Sequence, residues 1–165
     1  MDFPEKSNEH PRRRGPAVTS GSGALIGVLG AALVAVSAWL PWLSGPQTRH
    51  QSGYNVPAAF LVDRHASGGV SLGVVLLVLG VLGVIGAVLA AGRYPSLALG
   101  IAVVLVAVLF VSQLRLSVDD LNRASHLQLE ARDVMGAGPF AAGAGGIIVV
   151  IGALIPGRRA ATSTR

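Results

Sequence analysis

The stretch from Gly69 to Ser112 constrains this chain most: two long apolar runs are joined at a single charged turn. Gly69 to Ala91 reads G-V-S-L-G-V-V-L-L-V-L-G-V-L-G-V-I-G-A-V-L-A-A, with no ionisable side chain. Ser96 to Ser112 repeats the pattern as S-L-A-L-G-I-A-V-V-L-V-A-V-L-F-V-S, after the turn Gly92-Arg93-Tyr94-Pro95. A helix needs about 20 apolar residues to cross a hydrocarbon core. Each run reaches that length, the second once Pro95 and the following Gln113-Leu114 are included. Buried helices of soluble proteins are rarely apolar on every side for so long, so the sequence predicts a transmembrane hairpin.

Two further runs flank it. Ala24 to Leu43 supplies about one membrane thickness, with Pro41 loosening the last turn and Ser44-Gly45-Pro46 stopping the helix. Trp39 and Trp42, at its far end, are expected to be membrane-interface anchors, their amphipathic rings lying at headgroup level. Near the other end of the chain, Gly136-Ala137-Gly138 breaks the preceding segment, Pro139 takes a favoured first-turn position, and Phe140 to Ile155 crosses back. The expected fold is therefore an all-α membrane protein, a four-helix transmembrane bundle with two outer loops. Its helices are expected over about 24–43, 69–91, 95–115 and 139–156. Residues 23–156 form the four-span domain, 1–22 a disordered cytoplasmic tail, and 157–165 a second cytoplasmic tail. A cleaved signal peptide is the rival for the first span, with Arg12 to Arg14 as its basic region. Signal h-regions run about 7–15 residues, and this apolar run continues past the candidate site at Val36-Ser37-Ala38, so the span is expected to stay attached.

Composition agrees with a membrane location. Only 13% of the 165 residues are charged, 52% are hydrophobic, and the mean hydropathy is +0.62. The net charge of +5 is dispersed around the apolar runs instead of forming a patch, so nucleic acid is not an expected partner. The absence of cysteine excludes disulfides, thiolate metal sites and thiol redox chemistry. The two tails and the Arg93 turn hold eight basic and three acidic residues, while the two large loops hold five of each. The positive-inside rule then puts both termini in the cytoplasm and both large loops outside the plasma membrane.

The first loop contains Val56 to Val62, apolar but too short to span, readable as a short interfacial helix or as a loop anchored by Phe60. In the second, Gln113 to Met135 has a helical pattern that places Asp119, Arg123, His126, Glu130 and Asp133 on one face. The third helix is thus expected to run on past the membrane into a second, bent segment. His126, Glu130 and Asp133, with His50 and His65 of the other loop, have the residue types of a metal site. Ordinary solvated i,i+4 pairs, Asp119 with Arg123 and His126 with Glu130, account for them better, and no metal or cofactor is expected. There is no H-E-x-x-H, P-loop or G-x-S-x-G. The four apolar runs, the third taken to Leu114, hold no Asp, Glu, Lys, Arg or His, whereas coupled transporters usually place one near mid-membrane.

Small residues recur at helical spacing: Gly23 and Gly27, Gly69 and Gly73, Ala142 and Gly146, and the set Gly80, Gly83 and Gly86. In lipid, small faces let helix backbones approach closely. Gly80, Gly83 and Gly86 are the candidate face, either for packing the chain's own helices or for another membrane protein or another copy.

Trp39-Leu40-Pro41-Trp42, then Ser52-Gly53-Tyr54, the Gly-rich hairpin and the G-x-G-P opening of the last helix together resemble small four-span membrane proteins of actinobacterial type. The likeness covers about Gly23 to Pro156. It implies a plasma-membrane protein and carries over no active-site residue. The function expected is a non-enzymatic accessory or scaffold subunit of a cell-envelope complex, with the bilayer and other membrane proteins as partners. The alternative is a small oligomeric channel or facilitator.

Overall fold

The computed structural model describes residues 21–45, 48–63, 65, 68–88, 93–125 and 128–155. The two expected tails, apart from Gly21 and Ser22, and Gly92 of the expected turn lie outside them, while Arg93, Tyr94 and Pro95 open α3. The described chain is predominantly helical. Its elements, in order, are α1 (Ser22–Ser37), the strands β1 (Pro41–Gly45) and β2 (Thr48–Ser52), two 3-10 turns (Gly53–Asn55 and Ala58–Leu61), α2 (Leu72–Val88), α3 (Arg93–Ser125), the single turn α4 (Ala131–Val134) and α5 (Gly138–Leu154).

Helix α5 is the hub. It packs along α1 on one side and α3 on another, and α2 packs mainly on α1; α2 and α3 meet more sparsely. Glycines set these spacings. A Cβ built on Gly30 would lie 2.8 Å from the Gly145 carbonyl oxygen, and one on Gly145 would lie 2.8 Å from that of Gly30. Gly23 and Gly152 repeat the relationship at 2.8 Å in both directions, one heptad along. Gly100 of α3 and Gly146 of α5 meet in the same way, at 2.9 and 3.0 Å. Backbone therefore rests on backbone at three contacts, and no side chain fits between. Val34, Leu72, Leu76, Val103 and Val149 fill the interior beside these contacts, while many other bulky aliphatic residues, among them Leu25, Leu29, Val78, Val81, Ile85, Ile101, Leu105, Ile147 and Ile151, are exposed.

One helix, Tyr94–Ser125, is long and apolar enough to cross a membrane, with a mean hydropathy of 2.7 over its best window. Only 28% of that window is buried, whereas the core helix of a soluble protein would be mostly covered. Helices α1, α2 and α5 are shorter, at 16, 17 and 17 residues.

Three expected boundaries need correction. The first helix does not run to Leu43 but ends at Ser37, because Pro41 has no N–H to continue the ladder. Ala38 and Trp39 close the last turn by donating to the carbonyls of Ala35 and Val36. The chain then enters an antiparallel hairpin, pairing Pro41 with Ser52, Leu43 with Gln51 and Gly45 with Thr48, a small sheet that the all-α pattern does not predict. The second helix starts at Leu72 and not at Gly69, since Gly68 and Gly69 take φ values of 98° and 92°, a left-handed conformation suited to glycine. The third continues unbroken to Ser125, ten residues beyond the expected end, as its polar continuation implied.

Candidate functional site

Above the C-terminal end of α1, the hairpin, the 3-10 turns, the last turns of α3 and the segment 128–137 form a cap. Trp42 is its centre. The indole is fully buried, stands edge-on to Phe110 with ring centroids 4.8 Å apart, and donates from Nε1 to the Ser37 carbonyl at 2.8 Å. Pro41 would have been the ordinary i+4 donor to that carbonyl and cannot serve. The indole replaces the missing amide, so the break in α1 leaves no buried orphan acceptor.

The rest of the cap is fitted around this ring. A Cβ on Gly138 would collide with the indole Cδ1 and Nε1, so α5 can begin against Trp42 only with a residue lacking one. Gly136 donates to the Trp42 carbonyl at 3.1 Å and presses on Pro41, where an added Cβ would collide with the carbonyl oxygen. Leu43 bridges to Met135. Around the ring, Val56, Leu72, Leu76, Leu114 and Val118 continue the same apolar cluster. Trp42 is therefore not the membrane-interface anchor expected from its position: its polar edge is spent inside the protein. Trp39 is the exposed one of the pair, at 58%, and its ring meets Tyr54 edge-on at 5.5 Å.

The polar residues of the cap serve local structure. Asn122 ties α3 to the returning chain by donating to the Leu129 carbonyl at 2.8 Å and accepting from the Leu129 amide at 3.0 Å. Glu130 and Asp133 form a reciprocal capping box on α4, and Arg132 lies 2.6 Å from Glu130 and 3.9 Å from Asp133. The expected face of Asp119, Arg123, His126, Glu130 and Asp133 is not continuous, because α3 stops at Ser125. Arg123 pairs with Asp120 at 3.7 Å instead of Asp119, and His126 lies outside the described residues. His50 and His65 are exposed. Among the described residues, no three His, Cys, Asp or Glu side chains converge to hold a metal.

The candidate glycines divide. Gly80 and Gly83 face α1, where added Cβ atoms would lie 2.8 Å from the Ala35 Cβ and 3.0 Å from the Ala31 Cβ. They pack the chain's own helices. Gly86 has open space up to Ser96 Oγ at 3.7 Å. The tighter pairs Gly30–Gly145, Gly23–Gly152 and Gly100–Gly146 were missed as pairs. The available signal was the shared seven-residue spacing, 23 to 30 and 145 to 152, on two helices.

Between α1, α2, α3 and α5, Val34, Leu79, Leu99 and Val103 surround a void of about 10 Å³, barely one water in size and without a polar group in its lining. No family model, curated protein or solved structure matches the chain.

Proposed function

We propose that the chain is a multi-pass protein of the plasma membrane, with α1, α2, α3 and α5 crossing the bilayer as a four-helix bundle and both termini cytoplasmic. The observation that carries this reading is the inverted packing: glycine backbones meet inside, while valine, leucine and isoleucine point outward on every long helix. In water such a surface would drive aggregation. In lipid it costs nothing, and close backbone contact is the source of helix association. The hydroxyls within the helices fit the same solvent. Ser37 donates to the Val34 carbonyl at 2.6 Å and the exposed Ser112 to the Val108 carbonyl at 2.9 Å, so neither needs water.

Within that membrane, the chain acts as a non-enzymatic accessory or scaffold subunit of a cell-envelope complex. Support comes from the cap, held to one end of the bundle through buried Trp42 and carrying short polar contacts at Asn122, Glu130 and Arg132. The alternative, a channel, would need several copies, since among the described residues the gap lined by Val34, Leu79, Leu99 and Val103 offers only about 10 Å³.

The test is affinity isolation in mild detergent, combined with labelling of intact cells by an impermeant maleimide. A scaffold brings down other membrane proteins in fixed ratio; a ring-sized homo-oligomer alone would support the channel. Ser125→Cys should label from outside and Ser163→Cys should not. The reverse pattern would invert the orientation.

A further inference from the structure

We propose that the exposed apolar rim of the cap, Val62, Val70 and Leu116, is a collar immersed in one leaflet, covered by lipid acyl chains. The proposal rests on the four-span reading and adds how the membrane is crossed. The outward apolar residues run from Leu25 on α1 to Trp39 in the turn that closes it, from Val74 to Val88 on α2 and from Phe140 to Leu154 on α5. Each stretch rises about 21 Å at 1.5 Å per residue, well short of a hydrocarbon core of about 30 Å. On α3 alone the exposed apolar residues continue from Tyr94 to Leu116, a rise of about 33 Å, with Leu121 a further exposed position beyond Asp119 and Asp120.

The missing depth is present in the cap. Gln113 donates to the Leu61 carbonyl at 3.4 Å, which brings the end of the second 3-10 turn and its neighbour Val62 to the level of α3 just below Leu116. Ala58, at the start of the same turn, donates to the Val70 carbonyl at 2.8 Å. Val62, Val70 and Leu116 are 86%, 60% and 50% exposed. The collar therefore continues the lipid-facing surface upward by the length the three short helices lack.

Irregular backbone survives at membrane depth only where its polar groups are satisfied within the protein. Here the Leu72 amide donates to Val56 at 2.8 Å, Phe60 to Pro57 at 3.1 Å, Val62 to Ala59 at 3.0 Å and Asp63 to Ala59 at 2.9 Å. Beside the collar, exposed Asp63 accepts from the His65 amide at 2.9 Å, and exposed Arg115 is long enough to carry its guanidinium toward the water side.

The chain has no cysteine, so single cysteines at Val62, Val70, Leu116, Val81 and Ser125 can each carry an environment-sensitive fluorophore in the full chain, reconstituted in phosphatidylcholine vesicles. Lipids brominated near the headgroup end of the chain, lipids brominated at mid-chain, and aqueous iodide serve as quenchers. A collar gives strong quenching by headgroup-end bromine and weak quenching by iodide at 62, 70 and 116. Val81, midway along α2, should respond most to mid-chain bromine, and Ser125 to iodide alone. If Val81 responds to bromine while the three collar positions respond to iodide as Ser125 does, the collar is wrong and the four-span reading stands. If Val81 also responds only to iodide, the four-span reading itself fails and the collar with it.

Discussion

The Trp42 indole donates to the Ser37 carbonyl at 2.8 Å, the acceptor that Pro41 leaves empty in the helix ladder. One side chain thus repairs the end of α1 and forms the centre of the cap. Phe110 and Gly138 pack directly on its ring. The two roles are separable by substitution. Trp42→Phe keeps most of the ring contact but leaves the Ser37 carbonyl buried and unpaired, at a cost of about 1–3 kcal/mol. Trp42→Ala also opens a cavity and should cost more, about 3–5 kcal/mol. Thermal denaturation in detergent should rank the three proteins in that order; equal melting of Trp42→Phe and wild type would mean that the indole N–H contributes nothing.

Gly145→Ala places a Cβ 2.8 Å from the Gly30 carbonyl oxygen and 2.8 Å from Val34 Cγ2. Gly143→Ala, two residues away, meets only the Ala107 Cβ at 3.7 Å. The first should destabilise by about 1–3 kcal/mol through overpacking against backbone, the second by little. Comparing the two melting temperatures checks the α1–α5 contact with composition held constant.

The same logic applies on α2. Gly83→Leu should push α1 away, since Ala31 already lies 3.0 Å from an added Cβ, whereas Gly86→Leu has open space before Ser96. Loss of stability in the first and not the second is expected in a detergent aggregation assay. Lost co-purification of partners with unchanged stability in Gly83→Leu would contradict the internal packing.

How much of this was readable beforehand differs by element. The four apolar segments are plain because no ionisable residue interrupts them. Their ends are less so, since Pro41 acts through a side chain on the following residue. Nothing local distinguishes Trp39 from Trp42: they flank the same Leu-Pro step, and only the arrival of Phe110 and Gly138 from distant segments buries the second. Glycine pairing was illegible for a related reason. With 22 glycines in the chain, spacing proposes faces, but the antiparallel docking of α1 on α5 selects Gly30 with Gly145. The supposed polar face of 119–133 fails where helical periodicity was extended past Ser125 into a segment that turns back, held by Asn122.

Asn122→Ala removes both bonds to Leu129 at once. The return segment should loosen while the helices remain, so amide exchange at Leu129 should accelerate by about tenfold, the equivalent of roughly 1.4 kcal/mol. Unchanged exchange there would show that α4 and the Leu43–Met135 bridge hold the segment without Asn122.

Immersion of all four helices is tested most directly by spin labels on single cysteines at Leu29, Val81, Leu105 and Ile147, one outward position on each long helix. In reconstituted vesicles, collision with oxygen, which concentrates in lipid, is compared with collision with a water-soluble nickel chelate. Four transmembrane helices give oxygen-dominated relaxation at all four sites. Oxygen dominance at Leu105 alone, with the nickel chelate reaching Leu29, Val81 and Ile147, would leave one membrane-crossing helix and contradict the four-span bundle.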